Sequence, residues 1–506
     1  MLKQKKITEK KLDIIKRQAS LRYKTPIPTN IRLLKSYHDI IALNKAKPSL
    51  FLENILKTRK VRTLSGIAAI TVITKPYPCP GKCLYCPQEK DMPKSYLADE
   101  PACMRAVLTK FDPYLQTKTR LESLKMTGHN TDKIELIVLG GTWSYYKKKY
   151  QKWFIKRCFD ACNVKTAKNL KEAQRINENG KHRIIGLTLE TRPDFINEKE
   201  IKKIREFGCT RVELGAQSIY DDVLRKNLRG HNVKTIIKAT KLLKNSGFKI
   251  TFHMMPGLLA SNPQKDVKMF EELFRNKDFQ PDQLKIYPCV VLKNAPLYKL
   301  WKNKKYKPYS DKELSNLLIK IKSKIPPYVR IIRIIRDIPS QDIIAGNKMS
   351  NLRQLLQQKG VRCRCIRCRE VRNQDTKIKN IKLIRRDYDA SDGKEIFLSF
   401  EDVKNNKILA FLRLRIINDW TLPILKDCAL IRELHTYGQV VAISDKNKNA
   451  QQHKSLGRKL MAEAEKIAKK EFNFSKIAVI AGIGVRGYYR KLGYKLQNTY
   501  MIKSLK

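Results

Sequence analysis

The chain has 506 residues, 42% of them apolar, enough for ordinary globular cores and for about three domains. Lysine plus arginine number 106 against 47 aspartate plus glutamate, a formal charge of +59 that exceeds what solubility requires. Such an excess argues against an acid-rich disordered chain and for a polyanion partner, most simply a nucleic acid, although a solvated lysine-rich surface gives the same count. No run of eighteen apolar residues occurs, so no membrane helix is expected. The basic first residues are not followed by an apolar segment, so they do not read as a signal peptide. A cytoplasmic location follows as an expectation, with the twelve cysteines as ligands or buried thiols rather than disulfides.

Residues 1–64 are dense in lysine and arginine, from Lys3 to Lys6 through Lys57 to Arg62, with Leu12, Ile15 and Leu21 at helical spacing. Short basic helices are expected there, serving either as a solvated face or as a grip on nucleic acid. From residue 65 to about 345 the pattern changes. Apolar β-branched runs begin near Ile67, Glu135, Ile184, Thr210, Lys249 and Gln283, with helical periodicity between them. Six strands alternating with helices predict a parallel α/β sheet, an open partial (β/α)6 barrel whose chemistry gathers beyond the C-terminal strand ends.

Directly after the first run comes Cys79-Pro-Gly-Lys-Cys83-Leu-Tyr85-Cys86. Three soft thiolates at C-x3-C-x2-C spacing can hold a 4Fe-4S cluster with one open iron, or a zinc ion short of one ligand. With Tyr85 before the last cysteine, the pattern resembles the cluster motif of radical S-adenosylmethionine (SAM) enzymes. The second run ends in Gly140-Gly141-Thr142, similar to the element that contacts the SAM amino group in that superfamily. Taken alone it reads as a tight turn. Glu190 ends the third run, either as a ligand contact or as part of a salt-bridged strand end. Cys103, Cys158, Cys162, Cys209, Cys289 and Cys428 are scattered and read as core residues.

A second triplet, Cys363-Arg-Cys365-Ile-Arg-Cys368, falls in a linker at 346–378 and looks like a structural zinc site lacking a local fourth ligand. From 379 to 506 the chain reads as antiparallel strands, then Gln439–Ile443 as a further strand. Gln452-His-Lys-Ser455-Leu456-Gly457-Arg458 opens a helix that would offer backbone N–H groups to a pyrophosphate. A strand, a short helix around Tyr488 and Tyr489, and a last strand follow. This order resembles an α+β GNAT-type acyltransferase, which binds acetyl-CoA.

A basic N-terminus, a radical-SAM region and a GNAT domain together resemble the catalytic subunit family of Elongator, a tRNA-modifying enzyme, in its bacterial and archaeal stand-alone form. Stretches such as Arg229-Gly-His231, His253-Met-Met-Pro256 and Tyr488-Tyr-Arg-Lys-Leu-Gly-Tyr494 carry the resemblance. It implies a synthase of 5-carboxymethyluridine at the tRNA wobble position, using acetyl-CoA and SAM-derived radical chemistry. The cluster thiolates then match Cys79, Cys83 and Cys86. Lys133 matches a lysine that meets acetyl-CoA from the radical-SAM side. Glu433, Leu434, His435 and Thr436 match the backbone strand contacts to acetyl-CoA, and Leu456, Gly457 and Arg458 the pyrophosphate loop. Tyr489 matches the thioester-side tyrosine, with Lys133 and Tyr489 as the catalytic pair. The implied partners are the tRNA anticodon stem-loop, acetyl-CoA and an electron donor; a homodimer stays open. Two departures bear on CoA affinity: Ser455 stands where the family has glycine, and Thr436 where it usually has valine. The alternatives are a protein lysine acetyltransferase with a structural cluster, and a tRNA-binding scaffold without catalysis.

Overall fold

The computed structural model describes residues 8–58, 60–63, 65–371, 380–437 and 455–505. The basic run Lys3 to Lys6, the expected strand at 439–443 and the residues Gln452 to Lys454 of the pyrophosphate loop lie outside the described residues.

The N-terminal stretch forms three helices, α1 (Glu9–Tyr23), α2 (Asn30–Ala42) and α3 (Leu50–Leu56). Thr8 and Thr29 cap the first two through their hydroxyls. Leu12, Leu34, Tyr37, Leu52, Ile55 and Leu56 close a small core of their own.

Seven parallel strands follow: β1 (Ala68–Ile73), β2 (Lys133–Leu139), β3 (Arg183–Thr191), β4 (Arg211–Gln217), β5 (Lys249–Met254), β6 (Gln283–Ile286) and β7 (Arg330–Arg333). They lie side by side in chain order. The sheet has one strand more than the six expected. The last, Arg-Ile-Ile-Arg, is too short and too basic to show a strand period, and only its pairing with β6 defines it. Crossover helices cover the outer face of these strands and the inner face lines a bore, and β-branched apolar residues recur along the first six, which is why they were legible. The register pairs Ile73 with Leu139, so the ends of β1 and β2 deliver the Cys79 loop and Gly140–Thr142 side by side.

The second sheet holds β8 (Ile381–Ala390), β9 (Gly393–Asp402), β10 (Lys407–Ile416), β11 (Cys428–Thr436), β12 (Lys476–Val479), β13 (Lys495–Gln497) and β14 (Tyr500–Ser504). Their order is β8-β9-β10-β11-β12-β14-β13, and only β11 and β12 pair in parallel. The helix Leu456–Lys470 packs Leu460, Met461, Ala464 and Ile467 onto this sheet.

The second sheet docks on the N-terminal ends of the parallel strands. A Cβ on Gly482 would lie 2.0 Å from the Ile185 carbonyl oxygen, and one on Gly484 would lie 2.5 Å from Arg183, both residues early in β3. Tyr500 donates to the Ser246 carbonyl ahead of β5, and His435 lies 3.0 Å from the Ser65 carbonyl ahead of β1. A buried charge network seals the joint. Asp282, ahead of β6, pairs with Arg432 of β11 and lies 3.6 Å from Lys244, while Glu395 of β9 meets Arg415 at 2.9 Å and Arg432 at 3.0 Å. No helix among the described residues is long and apolar enough to cross a membrane.

Candidate functional site

The loop after β1 carries the first triplet. Cys83 and Cys86 are buried and Cys79 is partly exposed. Backbone bonds tie the loop down: Leu84 N–H donates to the Asn227 carbonyl at 3.2 Å, and Leu297 N–H donates to the Leu84 carbonyl at 2.8 Å. Lys94 holds the Gly81 carbonyl at 2.6 Å, and the Thr142 hydroxyl lies 3.5 Å from Cys79 Sγ. Thr142 is thus brought against the cysteine loop as expected.

The charge around Cys83 is unusual. Arg229 donates through Nη1 to Cys83 Sγ at 3.5 Å and is otherwise held by the Gly215 carbonyl. Among the described residues no carboxylate lies within ion-pair distance of Arg229. Burial alone would raise the Cys83 thiol, but the Arg229 charge and hydrogen bond, with Arg192, bring it below its ordinary value. Cys86, buried beside Cys83, is pushed up to about 12. Arg192 Nη1 and Gln217 Oε1 are buried without partners, and the buried Tyr85 hydroxyl faces the Cys83 thiol. A buried guanidinium facing thiols, with unsatisfied polar atoms around it, is a costly arrangement unless an anionic ligand completes it.

The two triplets differ in spacing. Ligands on one tetrahedral zinc stand about 3.8 Å apart, given Zn–S near 2.3 Å. Among the described residues only Cys363, Cys365 and Cys368 place three such ligand atoms within 4.8 Å of one another. The wider first triplet suits a cluster, in which each thiolate binds a different iron. The tight second triplet suits a single ion, and the buried Lys322 ammonium lies near Cys368.

Gly140 and Gly141 serve different ends. Gly140 (φ 129°) packs against the end of β1, since a Cβ there would lie 2.0 Å from the Thr74 hydroxyl; at Gly141 (φ 67°) the left-handed backbone favours glycine, and a Cβ would lie 3.7 Å from the Lys94 carbonyl oxygen. Glu190 does not pair with its neighbour Arg192. It accepts from Tyr96 at 2.6 Å and lies 3.5 Å from His253, while Arg192 makes a two-pronged pair with Asp194.

Behind the loop, the bore of the half-barrel holds a cavity of about 380 Å³. Its lining includes Tyr85, Tyr96, Glu190, Glu213, His253 and Lys285. His253 Nε2 lies 2.8 Å from Glu213, which also pairs with Lys285. Burial alone would raise the Glu213 carboxyl, but Lys285, His253 and Arg211 hold it well below the usual range. Sequence reading missed Arg229, Glu213 and Lys285 as site residues. Each is an ordinary polar residue in its strand or turn, a signal too weak to use without the fold.

The second constellation lies on the sheet docked at the N-terminal ends of the parallel strands. A Cβ on Gly457 would meet the Tyr488 hydroxyl at 3.2 Å, the Thr436 hydroxyl at 3.7 Å and Leu434 at 3.9 Å. The loop, the end of β11 and the tyrosine helix therefore converge as expected. Leu456 is buried in the second core and Arg458 is exposed. Tyr489 is buried, which raises its hydroxyl, and Tyr488 is the tyrosine that reaches Gly457. Glu433 turns its side chain to Arg413 at 3.0 Å and Lys249 at 3.3 Å. The His435 imidazole is shifted down by burial. Lys133 pairs in register with Arg183 at the strand ends on which the second sheet docks, and burial lowers its ammonium despite Asp132.

A parallel half-barrel with a cysteine-rich loop after its first strand, joined to an acyl-CoA-type sheet, defines a radical-SAM and acetyltransferase fusion. Residues 76–273 match the Radical SAM superfamily, 281–360 the Radical_SAM C-terminal domain and 365–494 the Acetyltransferase (GNAT) family. The chain is 48% identical to the tRNA uridine(34) acetyltransferase of Methanocaldococcus infernus, over 99% of this chain and 96% of that protein. It is 44% identical to the protein of that name from Dehalococcoides mccartyi (88% and 99% covered), and 41% identical to Elongator complex protein 3 of Bos taurus (92% and 89%). The solved structure of the Methanocaldococcus infernus Elp3 lacking its N-terminus superposes with a TM-score of 0.77 at 46% identity, covering 87% of this chain and all of that one. The chain belongs to the tRNA uridine(34) acetyltransferase and Elongator complex protein 3 family.

Proposed function

We propose that this protein modifies the wobble uridine of tRNA, forming 5-carboxymethyluridine from acetyl-CoA. One observation carries the reading: the cysteine loop lies beyond the C-terminal ends of the parallel strands, and the acyl-CoA constellation belongs to the sheet docked on their N-terminal ends. Cys79, Cys83 and Cys86 would hold a 4Fe-4S cluster, and Gly141, Thr142 and Glu190 would position SAM beside it. When bound, that pair supplies a one-electron cleavage that generates the radical needed to activate an acetyl C–H bond.

The chain's own residues supply the rest. Arg229 balances the thiolate charge. Gly457, with the backbone from Glu433 to Thr436, Leu456 and Arg458, would cradle acetyl-CoA, and Lys133 and Tyr489 would direct its acetyl end into the bore. In the net reaction the acetyl hydrogen would pass to the adenosyl carbon as SAM splits to methionine and 5′-deoxyadenosine, carbon 5 would give up its hydrogen as a proton and return the one electron spent on that cleavage, a carbon–carbon bond would form, and water would split the thioester to a carboxylate and a thiol. His253, between Glu190 and Glu213, is the group in the cavity able to accept the carbon-5 proton. Helices α1–α3 would contribute to gripping the tRNA phosphates. Cys363, Cys365 and Cys368 would hold a structural zinc.

The test is anaerobic incubation of reconstituted protein with tRNA, acetyl-CoA, SAM and reductant, followed by nucleoside mass spectrometry. New 5-carboxymethyluridine, absent in Cys83→Ser, is the expected outcome. Its absence with the intact protein would overturn the reading.

A further inference from the structure

Radical chemistry at this loop needs an electron from outside, and the surface around the loop has a character of its own. We infer that the rim formed by residues 75–82 and the start of the helix Lys148–Asn163 is the docking surface for a small acidic protein that delivers single electrons. The inference rests on the reading that Cys79, Cys83 and Cys86 hold a redox-active cluster.

Three observations carry it. The first is access. Cys79 is the partly exposed member of its triplet, and Pro78, Pro80 and Lys82 beside it are exposed, so this rim is a short path from solvent to the cluster ligands. Electron transfer slows steeply with distance, which favours such a path. The second is charge. Residues 75–88 and 142–159 contain eight lysines and arginines and no aspartate or glutamate. Lys147, Lys148, Lys149 and Lys152 are exposed, and among the described residues none lies within ion-pair distance of a carboxylate. Of the acids that flank these segments, Asp160 is held by Lys156 and Arg157 and Asp194 by Arg192, whereas Glu89 accepts from the Ala98 N–H and Asp91 is exposed. Three successive lysines repel one another and oppose the helix dipole, so local stability does not account for them. The third is the apolar part of the surface. Tyr145 and Trp153 are each 42% exposed amid these lysines. Tyr77 stacks on Tyr146 at 4.7 Å and Tyr146 on Tyr150 at 5.2 Å, which fastens the lysine-bearing helix to the residues just before Cys79.

Exposed aromatics ringed by unpaired lysines form an interface with an apolar centre and a positive rim. An acidic carrier would be steered to it by long-range attraction, and its association would be sensitive to salt. The step itself is simple: the reduced carrier gives up one electron and the cluster gains it, with no bond made or broken.

The experiment uses the full chain with its cluster reconstituted, and an acidic 2Fe-2S ferredoxin as the probe carrier. Stopped-flow absorbance follows cluster reduction by the pre-reduced carrier and, separately, by dithionite. The triple variants Lys147→Glu/Lys148→Glu/Lys149→Glu and Lys147→Gln/Lys148→Gln/Lys149→Gln are compared with the wild type. The expected result is a carrier-driven rate that drops tenfold or more in the Glu variant and by less in the Gln variant. It should also fall with added salt in the wild type, while the dithionite rate and tRNA affinity stay unchanged. A carrier-driven rate indifferent to both variants and to salt overturns the inference. So does a loss confined to tRNA affinity, which would make the rim an RNA surface. Failure of dithionite to reduce any cluster, or to support SAM cleavage, would instead overturn the underlying reading.

Discussion

Ser455 precedes the helix Leu456–Lys470 with φ 51°, in the left-handed region. The sequence shows that a glycine of the family loop has become serine, and suggests crowding by its Cβ. The structure adds the backbone conformation, which a serine adopts at a cost of about 1 kcal/mol. Ser455→Gly should therefore bind acetyl-CoA more tightly by calorimetry, with no loss of thermal stability. Arg229 makes the converse case. Nothing in Arg-Gly-His shows that its guanidinium would be buried against Cys83 without a carboxylate. Arg229→Met should hold less iron per chain after reconstitution while its metal-free form melts no lower than the wild type, because an uncompensated buried charge has been removed. A variant retaining full iron would refute the role given to Arg229.

At the scale of elements, the short helix Ile366–Arg369 and its neighbours fasten the two sheets. Arg330 of β7 pairs with Glu370 at 2.6 Å and donates to the Tyr437 hydroxyl at 2.9 Å, and Arg369 pairs with Glu401 of β9 at 2.8 Å. The second triplet lies within this joint. Elemental analysis should find about one zinc per chain, and Cys365→Ala should lose it together with several degrees of melting temperature. Zinc retained by the variant would exclude the triplet as its site. The triplet was visible as a motif, but its place in a seam between sheets was not, because Arg330 and Glu401 are far from it in the chain. The parallel strands were legible for the opposite reason: their β-branched apolar residues are neighbours in the chain. The polar residues within them, Glu213 and Lys285, acquire meaning only when β4 and β6 flank β5 and all three face one cavity.

At the scale of the whole molecule, the joint holds buried charges of both signs. Burial alone would raise the Asp282, Glu395 and Glu433 carboxyls, but their basic neighbours hold all three down, Glu433 to about 2. Carboxyls depressed in the fold contribute stability above their ordinary values, and that contribution is lost as pH falls through the folded values. Thermal melts should therefore drop as pH is lowered from about 4.5 towards 2. Asp282→Asn leaves Arg432, Lys244 and Arg413 short of a counter-charge, so it should cost about 3–5 kcal/mol at neutral pH and show a shallower acid dependence. An unchanged melting temperature would mean that the network is incidental to the joint.

By itself the sequence determined the two halves of this protein, the cysteine loop after the first strand and the pyrophosphate loop before its helix. Those features depend on local spacing and periodicity, which survive in one dimension. Only the tertiary structure decided that the GNAT sheet sits on the N-terminal ends of the parallel strands, opposite the cysteine loop. The reason is physical: the joint is built from single charged residues and close glycine packings scattered from Arg183 to Tyr500, and their partners are fixed by folding rather than by proximity in the chain. That placement puts the two constellations on opposite ends of one set of parallel strands.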